Sequence, residues 1–386
     1  MSSTIPTLNP RLLGFKCIRC NTMHDVGDYA EGCPLCSRAG YPISVAPAYS
    51  SLPPLTANTG GYGMQVFADR LPYSAFRSLG EGNTPVAPLD QAAEVLGLQS
   101  VTLKLESSNP TGSHKDRMTA QFVARAAAKQ APVVAAASSG NAGASLAAYA
   151  AASSLKCVIV TTPKISSAWR RAIEMAGAEL HFVDDPLERW SFIRTKVRED
   201  GWLSATNVLN PPTGSEPFGV DGYKTIAYEL ASDPKTVQAD TIVVPTARGD
   251  LLWGIYAGYR ELVEERTIAQ MPRLVAVDPF PRLELALAGA DWRGAFPGAS
   301  PMVSINGTTL AYQAVAAVQR SSGLAVSVAS DQVLRDQQDL ARAGFYLELS
   351  AAAALTGLRL ACARNAIRNA VLIATSHGYK EVSATA

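Results

Sequence analysis

Several chemistries are excluded by what this chain lacks. Histidine is scarce: His24, His114, His181 and His377 are the four in 386 residues, and they form no spaced cluster. No H-E-x-x-H occurs, so a histidine-held catalytic metal is not written here. No G-x-G-x-x-G follows a β-rich run, and no G-x-x-x-x-G-K-[ST] occurs, which removes the usual dinucleotide and P-loop sites. A G-x-S-x-G elbow is also missing. Charge of one sign is missing too. With 34 Lys and Arg against 33 Asp and Glu the net charge is +1, so nothing attracts nucleic acid or an anionic membrane. The longest weakly polar region, 131–162, is interrupted by Ser, Gly, Asn and Lys and cannot span a bilayer. The opening MSSTIPTLNPRLLGF has no charged start followed by an apolar run, so no secretory signal is read and the cytoplasm is the expected location.

What remains describes a globular protein. Hydrophobic residues make up 47% and charged residues 17%, as compact chains do. The length suits two domains plus an appendage. Four of the six cysteines stand as Cys17-x-x-Cys20 and Cys33-x-x-Cys36. Two turns offering two thiolates each can converge on a tetrahedral zinc, as in a zinc ribbon; the alternative is a pair of reduced, metal-free knuckles. Such a zinc would be structural, because all four positions would be filled by protein. Cys157 and Cys362 read as ordinary buried thiols. Residues 1–45 are the ribbon-like piece, and the Pro/Ser/Gly-rich stretch 46–63 reads as a linker.

From about residue 70 β-rich runs alternate with helical stretches. The runs lie at 101–106, 131–138, 156–162, 178–183, 240–246, 272–278 and 369–376. Helices are expected at 115–130, 143–154, 166–176, 222–232 and 350–362. This alternation predicts an α/β fold with open parallel sheets covered on both faces, in three layers. Ligands then belong at the carboxyl ends of the strands. Three loops stand there. SSNPTGSHKDR (107–117) sets Lys115 at a helix start, where a cation is mildly unfavourable; Ser113 and Asp116 have capping-box spacing. Alone, Lys115 reads as a surface lysine. In SSGN (138–141), small residues leave N–H groups and hydroxyls at a helix start, either an anion site or a capped tight turn. TSHG (375–378) ends a β-rich run with hydroxyls.

Together, SLGEGNTPV (78–86), ESSNPTGSHKDR, SSGNAGAS, VDGYKTIAYEL (220–230) and TSHG resemble, in order and spacing, the fold type II pyridoxal-phosphate enzymes. Within them the chain is most similar to threonine synthases, some of which carry a four-cysteine N-terminal piece. The resemblance implies the tryptophan synthase beta-like fold, a large cofactor-binding domain (64–114 and 216–386), a small domain (115–215) and a homodimer. It implies that Lys115 forms a Schiff base with pyridoxal 5′-phosphate and serves as the base at Cα. A partly desolvated lysine near a helix start has its ammonium disfavoured, which suits that task. It further implies that Asn141 meets the ring 3′-oxygen, that Thr375 meets the ring nitrogen with a hydroxyl, and that Ser138, Ser139 and Gly140 hold the substrate carboxylate. A hydroxyl leaves the ring nitrogen largely unprotonated and favours elimination and replacement over transamination.

Two departures matter. Where the family holds the cofactor phosphate on a Gly-rich loop, this chain reads PTARGD (245–250). Arg248 and Gly249 are the expected phosphate contacts, with Asp250 either beside them or turned away to cap the next helix. Where threonine synthases of this type tend to have Asn-Pro-Tyr-Arg, this chain has Glu216-Pro217-Phe218-Gly219. Lys164 and Lys224 are the cations expected to take over a substrate phosphate, with Arg170 and Arg171 nearby in sequence. The expected reaction is conversion of O-phosphohomoserine to threonine and phosphate. The alternative is β-elimination or β-replacement on a serine-, threonine- or cysteine-like amino acid, of ammonia-lyase or cysteine/cysteate synthase type. A third reading is a non-catalytic cofactor- or partner-binding protein.

Overall fold

The computed structural model describes residues 5–55 and 61–381, so part of the expected linker lies outside the described residues. The chain groups into two compact units. Of the described residues, one contains 5–55, 61–82, 115–222 and 380–381; the other contains 83–114 and 223–379. Residues 64–82 and 216–222 thus pack with the piece that carries SSGN, apart from the piece that carries the TSHG loop.

The first unit holds a four-stranded parallel sheet in the order Glu179–Phe182, Cys157–Thr161, Val134–Ala137, Leu203–Ser204. Its central strands, VAAA and CVIVT, are apolar along nearly their whole length. A parallel strand covered by helices on both faces reads this way, because neither face meets water. The helices are Lys115–Ala128, Asn141–Ala152, Ser167–Met175 and Glu188–Asp200.

The N-terminal segment belongs to the same unit. Leu12–Cys17 pairs antiparallel with Met23–His24 and with Val45–Tyr49, so the start of the expected linker is a strand. Phe15 is fully buried and lies 4.7 Å from the Phe218 ring. Asp28 pairs with Arg125 and Lys129, and Glu31 pairs with Arg194 and Arg198. The cysteine-bearing loops are therefore tied to the helices Lys115–Ala128 and Glu188–Asp200.

The second unit holds a six-stranded sheet in the order Leu324–Ser327, Arg273–Asp278, Thr241–Pro245, Asn369–Ile373, Ser100–Lys104, Val86–Pro88. The pairings are parallel except for the edge strand Val86–Pro88. The alanine-rich helix Leu349–Cys362 packs on this sheet and is buried almost throughout. The α/β class with parallel sheets is thus as expected from the alternation. No helix among the described residues is long and apolar enough to cross a membrane.

Candidate active site and metal centre

Lys115 is the first residue of the helix Lys115–Ala128 and is half-buried. Its neighbour Asp116 is fully buried and accepts a 2.6 Å hydrogen bond from the Ser145 hydroxyl. Ser145 sits on the helix that SSGN begins, so this bond ties the lysine helix to the SSGN helix. Asn141, 6% exposed, is the first residue of that second helix. Lys380 donates to its side-chain oxygen.

At Ser138 the SSGN loop takes the second of its two expected forms, a tight turn held by its own side chain. Ser138 does not leave its loop bare: its hydroxyl accepts from the Gly140 and Gly143 N–H groups at 3.2 and 3.0 Å. Ser138 therefore shapes the turn, and two N–H groups expected to await an anion already have partners. Ser139 is different. Its hydroxyl lies 2.8 Å from the Thr161 hydroxyl and accepts from Arg189 at 3.2 Å.

In the second unit Thr375 is 6% exposed at the end of the strand Asn369–Ile373. Its carbonyl accepts the His114 N–H at 3.0 Å, and Ser376 donates to the Gly112 carbonyl at 3.1 Å. The NPTG turn is thereby held to the TSHG loop. Thr84 of the GNTP motif donates to Glu106 at 2.7 Å, and Asn109 donates to the same carboxylate at 2.9 Å. These motif residues hold one another's loops, a role their local pattern did not announce.

Gly249 has φ +101° and precedes the helix Asp250–Glu264. A Cβ there would lie 2.5 Å from the Ala314 side chain, so the tight loop requires glycine. Arg248 is half-buried beside it and donates to the Thr309 hydroxyl at 3.3 Å. The Asp250 carboxylate accepts from the Gln313 amide, which draws off the acid that the sequence left beside the expected phosphate site. Taken as chemistry, the residue types in each unit suit pyridoxal phosphate: a half-buried amine and a buried amide in the first, and a buried hydroxyl and a helix start next to a guanidinium in the second.

The expected substrate cations fare unequally. Lys164 is exposed, with no ion pair among the described residues. Lys224 stands differently from Lys164. It is fully buried, and its ammonium pairs with Glu261 at 3.2 Å. Tyr228 donates to the same carboxylate. A buried charge needs its partner far more than a solvated one does, and Glu261 is that partner for Lys224. Arg170 pairs with Glu174 on the surface.

The Glu216 departure also has a structural explanation. Glu216 caps a short helix by accepting the Gly219 N–H at 2.8 Å. A Cβ on Gly219 would come within 2.9 Å of Met118, so an arginine has no room there. Burial lifts the Glu216 carboxyl from 4.5 to about 7. Between those values the folded chain holds a proton that the unfolded chain releases. Glu216 therefore favours folding most at low pH, and stability falls as pH rises through about 7, by on the order of 3 kcal/mol. Glu216→Gln keeps the acceptor and removes the titration. Urea unfolding should show the variant level with wild type near about pH 5 and more stable near about pH 8. Parallel stability curves at all pH values would refute this.

The four cysteines converge. All four Sγ atoms lie within 4.8 Å of one another. Cys17 and Cys36 are 3.7 Å apart, and Cys20 and Cys33 are 3.8 Å apart. A tetrahedral zinc with Zn–S near 2.3 Å places its sulfurs about 3.8 Å apart. His24 Nε2 lies 3.3 Å from Cys33 Sγ, where an N–H would support a thiolate.

A family profile for "Pyridoxal-phosphate dependent enzyme" matches residues 77–376. A threonine synthase of Methanocaldococcus jannaschii is 26% identical over 96% of this chain and 93% of its own length. A threonine synthase of Methanosarcina acetivorans is 30% identical over 72% of this chain and 69% of its own. Among solved structures, a fungal L-serine ammonia-lyase from Rhizomucor miehei superposes with a TM-score of 0.66 at 17% identity. It covers 76% of this chain and 93% of that one, a likeness of fold. The match over most of the chain makes this protein a member of the pyridoxal-phosphate dependent enzymes of fold type II, with threonine synthases among its relatives.

Proposed function

We propose that this enzyme converts O-phosphohomoserine to threonine and phosphate in the manner of a threonine synthase. The observation that carries the reading is the similarity to a threonine synthase across 96% of the chain, N-terminal cysteine segment included. When bound, pyridoxal phosphate supplies an electron sink conjugated with the amino-acid Cα. In this reading Lys115 holds the cofactor and moves the proton at Cα. Asn141, oriented by Lys380, would hold the ring on its 3′-oxygen side. The Thr375 hydroxyl would serve the ring nitrogen. Arg248, Gly249 and the start of the helix Asp250–Glu264 would hold the phosphate. Ser139 and Gly140 hold the substrate carboxylate, while Ser138 fixes their turn. The four cysteines hold a structural zinc.

A second reading rests on Lys224. Its commitment to Glu261, with no arginine at Gly219, removes two sources of charge for a substrate phosphate. That favours a β-substituted amino acid without phosphate. The two readings separate in one assay. Purified holoenzyme with O-phosphohomoserine should release phosphate and threonine one to one. Silence from protein that keeps its cofactor band would reject the first reading and direct the search to serine-, threonine- and cysteine-like substrates.

A further inference from the structure

Beside the SSGN loop lies a cation that neither the sequence pattern nor the relatives' names assign. Arg189 begins the helix Glu188–Asp200 region and is half-buried. A guanidinium has five N–H donors. Here Nε donates to the Pro186 carbonyl at 2.8 Å and Nη1 to the Ser139 hydroxyl at 3.2 Å. Arg189 has no ion pair among the described residues. Its carboxylate neighbour, Asp185, accepts the Leu187 N–H at 2.8 Å. Burial disfavours the charged guanidinium, and the Asp185 charge offsets this only in part.

A second group stands at the same loop. Trp169 is 6% exposed, and its indole Nε1 is buried with no hydrogen-bond partner. A Cβ on Gly140 would lie 3.5 Å from the Trp169 ring, and 3.6 Å from the carbon bonded to Nε1. Ser166 fixes this ring by capping the helix Ser167–Met175 on the Trp169 N–H. A buried N–H without an acceptor is costly, and so is a desolvated arginine whose carboxylate neighbour makes no ion pair with it. Both costs fall if an anion binds; Arg189 bonds Ser139, and the Trp169 ring lies against Gly140, the next residue.

We propose that Arg189 and Trp169 form an oxyanion subsite beside the SSGN loop that recognises a second acidic group, phosphate or carboxylate, at the side-chain end of the amino-acid substrate. The assignment to substrate rests on the proposed reaction; the binding of an oxyanion does not. Arg189 supplies charge and paired donors. Trp169 supplies one donor of fixed direction. Ser139, itself bonded to Thr161, and the Pro186 carbonyl hold the guanidinium in place.

The test begins with inorganic phosphate and, separately, succinate, titrated into holoenzyme and followed by tryptophan fluorescence. Trp169→Phe identifies the signal and removes the N–H while keeping an aromatic ring. Arg189→Ala should weaken the preferred anion at least about tenfold, and Arg189→Lys by less, because lysine keeps the charge but loses the fork. Which anion binds wild type more tightly tells phosphate from carboxylate. The cofactor band should persist in all variants. Affinity for O-phosphohomoserine should fall in Arg189→Ala, while affinity for L-2-aminobutyrate, which has no second acidic group, stays level. Equal anion affinity in wild type and Arg189→Ala overturns the proposal, as does equal loss for both amino acids. Intact anion binding with no turnover of any amino acid would reject the proposed reaction and leave the subsite standing.

Discussion

Replacing Lys115 with alanine is expected to abolish the visible band of the lysine-linked cofactor and to cut turnover by about 10³-fold or more. The reason is that, among the described residues, the other lysines of the motifs and beside them have partners of their own. Lys104 gives its ammonium to Glu229 at 2.6 Å and to the Thr84 carbonyl at 2.7 Å. Lys224 is held by Glu261. Lys380 donates to Asn141, an amide, and is the one candidate to rule out by its own substitution. Lys115→Ala should fold. The helix keeps its Asp116–Ser145 anchor, and the Thr119 hydroxyl bonds the Lys115 backbone carbonyl, which alanine retains. Lys115→Arg should fail equally, because a guanidinium stays protonated and cannot act as a nucleophile. Absorbance after dialysis against cofactor-free buffer, with a thermal melt as control, reads the outcome. A band that survives in Lys115→Ala would move the covalent site to Lys380 and undo the assignment of Asn141 with it.

The parts of this fold that sequence made legible are those with a strong local signal. The strands at Cys157–Thr161 and Arg273–Asp278 are continuous apolar runs between turn formers, and the sheet that buries both faces demands such runs. The edge strand Val86–Pro88 has no such run, because one side of it has no partner and its length is three residues. The SSGN turn was legible as a special loop, but not the fate of its donors. That Ser138 occupies the Gly140 and Gly143 N–H groups follows from backbone geometry, which no residue pattern carries. Charges were the least legible. Lys224 looked like a free cation until the fold set it against Glu261, 37 residues away. Arg189 stands in no motif of the sequence; the fold sets it against Ser139, 50 residues away. Long-range pairing decides whether a charge is structural or available. A hint was present for Arg189: it precedes Trp190, which is 4% exposed, so that turn of the helix faces inward.

The cysteine cluster joins these threads, because the loops it closes carry Asp28 and Glu31. Asp28 binds Arg125 and Lys129 on the helix that starts with Lys115. Glu31 binds Arg194 and Arg198 on the helix that carries Arg189. Each exposed pair contributes only about 0–1 kcal/mol. Their combined effect requires that the loops be held in one geometry, and a metal on four thiolates is what would hold them. Cys36→Ser removes a buried ligand. It should reduce zinc from one per chain to none in an elemental assay and lower the melting temperature by on the order of 10 °C. Cys362→Ser, at a thiol outside the cluster, should keep both. The sheet core of the unit, with Val134, Ile159 and Val160 fully buried, does not depend on the metal, so Cys36→Ser should retain most of its secondary structure by circular dichroism. The loss should instead be felt where the braces end: anion affinity at Arg189 should weaken along with the zinc. Full zinc occupancy in Cys36→Ser would remove the metal centre from this account. Zinc loss with unchanged melting temperature and anion affinity would keep the metal and deny its bracing role.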